Sequence, residues 1–107
     1  MIALEVLARK TFSSEKMQKV NLFETDNLFC DIYCLRPGQA QKPHTHPGAD
    51  KVYYVLEGGG TFQVGDEQRV LHAGMIVLAP SGVEHGVKNA SSGDLTLLVL
   101  MAPNPNR

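Results

Sequence analysis

Short runs in which apolar and polar side chains alternate fill most of the chain, and this period is typical of β-strands. The pattern predicts strands at Ile2–Ala8, Val20–Glu24, Asn27–Leu35, Val52–Leu56, Gly60–Val64, Gln68–Leu71, Met75–Leu78, Glu84–Lys88 and Leu95–Met101. Turn residues separate the runs, and Gly65-Asp66 is a hairpin signal. Only Ser13–Lys19 leaves room for a helical turn, and the tail 103–107 is expected to fray. Many short strands without alternating helices predict an all-β sandwich or barrel.

Size, charge and cysteines narrow the class of protein. A chain of 107 residues predicts one domain, 1–107, with a single core. The net charge of −1 gives no reason to expect a nucleic acid or a membrane as partner. Because Glu5 interrupts the first apolar run and no stretch approaches ~20 apolar residues, we expect a cytoplasmic protein. Cys30 and Cys34 lie ~13 Å apart on one predicted strand, too far to bridge, and are expected to be buried thiols.

Two of the four histidines stand one residue apart in the stretch Lys42–Asp50. Because side chains alternate along an extended chain, His44 and His46 share one face. Imidazoles on one face of a strand are a common beginning of a transition-metal site. A pair of surface histidines in a loop rich in proline and glycine fits this stretch equally well, so the pair alone leaves both interpretations open.

Two blocks anchored by glycines resemble the two signature motifs of the cupin superfamily. The first, about residues 38–58, has at the motif's spacing Gly38, His44, His46 and Gly58. The second, about residues 74–89, matches at all five fixed positions, namely Gly74, Pro80, Gly82, His85 and Asn89. The resemblance implies a small single-domain cupin of the Cupin_2 type, a jelly-roll β-barrel also called a double-stranded β-helix.

The same resemblance implies a metal centre inside the mouth of the barrel. Its ligands would be His44, His46 and His85, holding one divalent transition metal per chain (iron, manganese, nickel or zinc). Asn89 is expected to hydrogen-bond a neighbouring loop rather than a metal. His72 has no counterpart in the motifs and is expected at the surface or rim.

The fourth ligand of the family is a glutamate, and here the chain departs from the motif. Lys51 stands at that position, and Asp50 matches a shorter spacing that some members use. A lysine ammonium ~4 Å from a dication would meet ~8 kcal/mol of repulsion at an effective dielectric of 20. Three outcomes remain open. Lys51 turns away while Asp50 or water completes the metal shell, or Lys51 stays inside and is held neutral, or the site is metal-free and Lys51 binds an anion. We expect the first. Tyr53 shares strand parity with Lys51, so it either lines the pocket or packs in the core.

The resemblance implies a metal-binding cupin acting on a small organic molecule, with an iron-dependent dioxygenase-type reaction as the leading expectation. One alternative is a ligand-binding or sensor module without catalysis, in which an anion is bound without metal. An isomerase or a lyase is a further alternative, since the fold hosts both. We also expect a homodimer, with Ile2–Ala8 as a segment for exchange between subunits.

Overall fold

The computed structural model describes all residues, 1–107, as nine β-strands and a single 3-10 turn at Leu7–Arg9. In chain order the strands β1 to β9 are Gln18–Glu24, Phe29–Leu35, Ala40–His44, Asp50–Glu57, Gly59–Val64, Glu67–His72, Ile76–Ala79, His85–Lys88 and Leu95–Ala102. No helix is long and apolar enough to cross a membrane.

The strands form two antiparallel sheets whose inner faces enclose the core. The larger sheet has the order β1-β2-β9-β4-β7, and the smaller one has the order β3-β8-β5-β6. Strand β9 lies at the centre of the larger sheet, and its alternate residues Leu95, Leu97, Val99 and Met101 are buried in the core. The architecture is the all-β jelly roll that the alternating pattern and the motif resemblance predicted.

The N-terminal segment and strand β3 differ from the sequence-based prediction. Ile2–Ala8 was predicted as a strand, but it pairs with no strand of its own chain and ends in the 3-10 turn. An alternating pattern forms a strand only where a partner edge is available, which explains the error. Strand β3 escaped prediction because Pro43 removes a backbone donor and only Gln41 within it is buried. No helix forms over Ser13–Lys19.

Strand β3 approaches β8 closely, and this approach positions two of the histidines. His44 and His85 are register partners across the two strands, beyond an irregularity between Gln41 and His44. Gly86 permits the contact, because a Cβ on it would lie 2.8 Å from the backbone oxygen of Gln41 and 3.0 Å from the nitrogen of Pro43. A residue with a side chain at position 86 would therefore push the two strands apart.

The C-terminal tail was expected to fray, but it is attached to the turn between β1 and β2. Asn104 is buried, and its side-chain amide donates to Glu24 Oε2 and to the carbonyl of Thr25, both at 2.9 Å. The Arg107 guanidinium lies 2.7 Å from the carboxylate of Asp26. These contacts hold Pro105 and the residue after it against the mouth of the barrel.

Candidate metal centre

Three imidazoles converge at one end of the barrel. His44 ends β3, His46 follows in the loop to β4, and His85 begins β8. Their potential ligand atoms all lie within 4.8 Å of one another. Small side-chain rotations bring atoms at this separation onto a common ion with bonds of about 2.1 Å. The sequence-predicted histidines are therefore brought together, although they come from distant parts of the chain.

The ring orientations of two of these histidines are set by backbone carbonyls. His44 Nδ1 lies 2.8 Å from the carbonyl oxygen of Lys42, and His85 Nδ1 lies 2.9 Å from that of Val83. A carbonyl accepts only, so each Nδ1 carries the proton and each Nε2 carries a lone pair. His85 Nε2 is buried and has no hydrogen-bond partner. A buried lone pair without a partner, between two other imidazoles, is the donor set that a transition metal needs, so the residues fit the implied ion.

The protonation states of the histidines agree with this assignment. Burial lowers the pKa of His85 to about 4, against a smaller opposing effect of the hydrogen bond to Val83. Burial also lowers the pKa of His44 and of His46 from the ordinary value. All three rings are therefore neutral at pH 7, which is the form that binds metals.

Lys51 points into the barrel rather than away from it. Its side chain is buried, with Nζ 3.3 Å from Gln41 Oε1. The same Nζ lies 5.1 Å from the ring centroid of Tyr33 and 4.9 Å from that of Tyr53. Burial lowers the pKa of Lys51 to about 7, with a further lowering by the charge of Lys19. A lysine that loses its proton this readily tolerates a neighbouring cation far better than an exposed one does.

Asp50 lies outside the centre, which corrects the expectation that it or water completes the shell while Lys51 turns away. Asp50 is exposed, and its Oδ1 accepts a hydrogen bond from the backbone N–H of Ser81 at 2.9 Å. The hydroxyl of Ser81 in turn accepts from the N–H of Gly48 at 2.8 Å. The physical reason is strand alternation: β4 directs Lys51 inward, and its neighbour Asp50 must then point outward. Asp50 fastens the loop that carries His46.

Tyr53 belongs to the core rather than to the pocket wall. It is completely buried, and its hydroxyl donates to Gln41 Oε1 at 2.8 Å. Gln41 thus joins Tyr53 and Lys51 beneath the histidines, and sequence reasoning missed it. The only signal was a glutamine three residues before His44, in a stretch where no strand was predicted.

A cavity of about 170 Å³ opens beside His46 and Lys51. Its apolar wall is formed by Phe29, Met101 and Pro105. Its polar lining, beyond the two residues named first, consists of Lys19, Asp31, Tyr33 and Asn106. None of these four polar residues was predicted as a site residue. Asp31 offered a signal, because it stands on the inward face of β2 between two buried aromatic residues.

Two residues lie apart from the centre, as the motifs implied. His72 is exposed on β6, and the three-histidine cluster does not include it. Asn89 is buried, and its amide donates to the carbonyls of Leu35 at 2.9 Å and Gly93 at 2.8 Å. The expectation that Asn89 hydrogen-bonds a loop is confirmed, and the loop is the one that leads into β9.

Comparison with known proteins assigns the family. The model of the Cupin domain family matches residues 31–101, a range that contains all three converging histidines. This chain belongs to the cupin family. A Thermus thermophilus protein of known crystal structure is 44% identical and superposes with a TM-score of 0.96, covering 98% of this chain and 100% of that one.

Two further relatives bear on the fold and on ligands. An oxalate-binding protein from Thermotoga maritima is 31% identical over 67 residues, which is 63% of this chain and 55% of that protein. A Klebsiella pneumoniae protein with a double-stranded β-helix domain is 24% identical, with a TM-score of 0.88 over 94% of this chain and 89% of that one. The second likeness supports the double-stranded β-helix fold alone.

Proposed function

We propose that this cupin binds one divalent transition metal through His44, His46 and His85 and takes a small organic carboxylate at that centre. The observation that carries the proposal is the buried, unpartnered Nε2 of His85, which faces two imidazoles across a few ångströms. Two rings are already oriented by carbonyls, so little ordering remains to be done when a metal binds.

The anionic character of the ligand is supported by Lys51 and by one relative. Lys51 has a single hydrogen bond to Gln41, and its ammonium retains donors for another acceptor. Lys19 adds a second positive charge at the cavity. A negative ligand would lower the cost of holding Lys51 charged in a buried site. The T. maritima relative is named for binding oxalate, the smallest dicarboxylate.

Metal content tests the first half of the proposal. We expect wild-type protein offered Fe²⁺, Mn²⁺, Ni²⁺ or Zn²⁺ and then desalted to retain about one equivalent of at least one metal by plasma mass spectrometry. His85→Ala should retain well below one equivalent, and His72→Ala, on the exposed side of β6, should behave as wild type. If wild-type protein retains none of the four metals, the metal-free, anion-binding sensor alternative takes the place of this proposal.

A dioxygenase-type reaction is the second candidate function. Three neutral protein ligands leave further positions on a metal open for a substrate and for oxygen, and iron(II) supplies the redox chemistry when bound. Asp50 does not serve as the general base at the centre, because its carboxylate is hydrogen-bonded to the backbone N–H of Ser81. Oxygen uptake by the iron-loaded protein in a screen of thiols, diketones and phenols tests this candidate against the isomerase and lyase alternatives, which consume none.

We also propose a homodimer, formed through the outer face of the larger sheet. Register pairs align two apolar rows across all five strands of that face. One row consists of Val20, Ile32, Leu98, Tyr54 and Ile76. The other row consists of Phe23, Cys30, Leu100, Val52 and Leu78. Cys30 and Ile32 of these rows are buried within the chain, whereas Phe23, Ile76 and Leu78 are exposed, and an exposed apolar patch of this kind is typical of a protein interface. A cytoplasmic location stays a prediction.

A further inference from the structure

The cavity beside the metal centre is lined by a polar group, Asp31, that the proposed function does not use. Asp31 Oδ1 accepts a hydrogen bond from the amide of Asn21 at 2.8 Å, while Oδ2 accepts none from the chain. Asp31 lines the cavity together with Lys51, so one end of a bound molecule meets a cation and the other meets an acceptor.

The register of the larger sheet sets the separation of these two groups. Lys51 on β4 pairs with Met101, and Asp31 on β2 pairs with Val99, so strand β9 lies between them. Two strand spacings amount to about 10 Å between their backbones. The lysine side chain reaches across β9, since its Nζ lies 5.1 Å from the ring centroid of Tyr33 on β2. The size of the ligand follows from the cavity, because its volume of about 170 Å³ is similar to that of one that holds benzene, and a hydroxy acid of about four carbons has a comparable number of non-hydrogen atoms.

The free carboxylate oxygen of Asp31 favours a hydroxyl over a second carboxylate as its neighbour on the ligand. A carboxylate oxygen without a hydrogen-bond donor accepts readily from O–H, and a hydrogen bond to a charged group is stronger than one between two neutral groups. A second carboxylate on the ligand would instead meet the like charge of Asp31. The neighbouring wall of Phe29 and Met101 suits the carbon chain between the two ends.

We propose that this cavity selects small hydroxy acids of about four carbons, with Lys51 binding the carboxylate and Asp31 accepting the hydrogen bond of the distal hydroxyl. The inference rests on the proposed function and narrows its ligand class. In this assignment Asp31 determines specificity and takes no part in binding the metal. We would then not expect this chain to prefer oxalate, the ligand for which the T. maritima relative is named.

Three ligands of equal length that differ only at the distal end test the proposal: butyrate, 4-hydroxybutyrate and succinate. We expect calorimetric titration of the zinc-loaded protein to give at least tenfold tighter binding of 4-hydroxybutyrate than of butyrate, and the weakest binding of succinate. Asp31→Ala should abolish the preference for the hydroxyl, so that the affinities of this variant for 4-hydroxybutyrate and butyrate lie within twofold of each other. Asp31→Asn, which keeps the shape, serves if the alanine variant unfolds, and Asp66→Ala in an exposed turn is the matched control.

The outcomes separate failure of this inference from failure of the proposed function. Equal affinity for 4-hydroxybutyrate and butyrate, with both weakened by Lys51→Met, overturns the role of Asp31 and leaves carboxylate binding intact. A preference for the hydroxyl that survives in Asp31→Ala also overturns it. If none of the three ligands binds wild-type protein with or without zinc, both the inference and the carboxylate half of the proposed function are wrong.

Discussion

Lys51 occupies the position at which the cupin motif carries a glutamate, and its buried Nζ is held between two tyrosine rings. The substitution exchanges a negative ligand for a basic group next to three neutral imidazoles. The centre thus loses a charge that would attract a metal and gains one that attracts anions. Its pKa of about 7 places the lysine where either protonation state is accessible near neutral pH.

Restoring the carboxylate should strengthen metal binding. Because β4 directs residue 51 into the barrel, Lys51→Glu places an anionic oxygen donor beside the imidazoles and removes a competing cation. We expect the dissociation constant for Zn²⁺, measured by competition with a chelating dye, to fall by tenfold or more. Lys42→Glu makes the same change of charge at an exposed site and should leave it within threefold. Unchanged affinity in Lys51→Glu would contradict the inward orientation.

Lys51 should also make stability depend on pH. The native side chain loses its proton above about 7, whereas in the unfolded chain it does so near the ordinary 10.5. Between these values the unfolded state binds more protons, so stability rises with pH, by at most ~1.4 kcal/mol per unit. In chelator, the free energy of unfolding of wild type relative to Lys51→Met should therefore increase from pH 7 to 9, measured by urea denaturation. A constant difference would show that the native pKa is not lowered.

At the scale of elements, the centre depends on how closely β3 lies against β8. These strands bring His44 opposite His85, and the other edge of β8 pairs with β5. Strand β3 is an edge strand with an irregular register. Any side chain that pushes β3 outward therefore moves His44 away from His85.

Gly86→Ala should separate the two strands. The added methyl would meet backbone atoms of Gln41 and Pro43 at about 3 Å, and backbone yields less readily than a side chain. We expect a loss of about 1–3 kcal/mol in the free energy of unfolding and a metal affinity at least tenfold weaker. Gly93→Ala, whose added Cβ would meet nothing within 4 Å, is the matched control. Equal metal affinity in the two variants would contradict this account of β3.

At the scale of the whole molecule, the two faces of the larger sheet are both apolar. The inner face forms the core, and the outer face carries Ile76 at 64% and Leu78 at 54% exposure near the edge strand β7. The N-terminal Met1 and Ile2 are also exposed and pair with no strand of their own chain. The proposed second copy of the chain would cover these exposed residues, because a two-fold interface buries the same patch on both subunits.

Charge on this face should therefore prevent the proposed dimer from forming. Light scattering of wild-type protein should give twice the chain mass of 11.7 kDa at micromolar concentration. Leu78→Lys combined with Ile76→Lys should give the monomer mass, since each lysine would have to be desolvated at the interface. Val70→Lys introduces a charge at a residue 73% exposed on the other sheet and should leave the dimer intact. A wild-type monomer would contradict the proposal.

The sequence by itself determined the strands, the family and the identity of the converging histidines. Alternation is a local property, so eight of the nine observed strands follow from their own residues. The motif spacings determined which histidines meet, because they encode turns of defined length. Strand β3 is the exception, since its pairing with β8 rather than its composition makes it a strand.

Only the tertiary structure decided what surrounds the histidines. Gln41, Asp31 and Tyr33 come from β3 and β2, and their meeting with Lys51 depends on strand order and register across two sheets, which no local pattern contains. The choice between Asp50 and Lys51 was decided in the same way. Asp50 remains exposed, because its carboxylate accepts a hydrogen bond from the backbone N–H of Ser81. Lys51 points inward, because adjacent residues of a strand face opposite sides of the sheet.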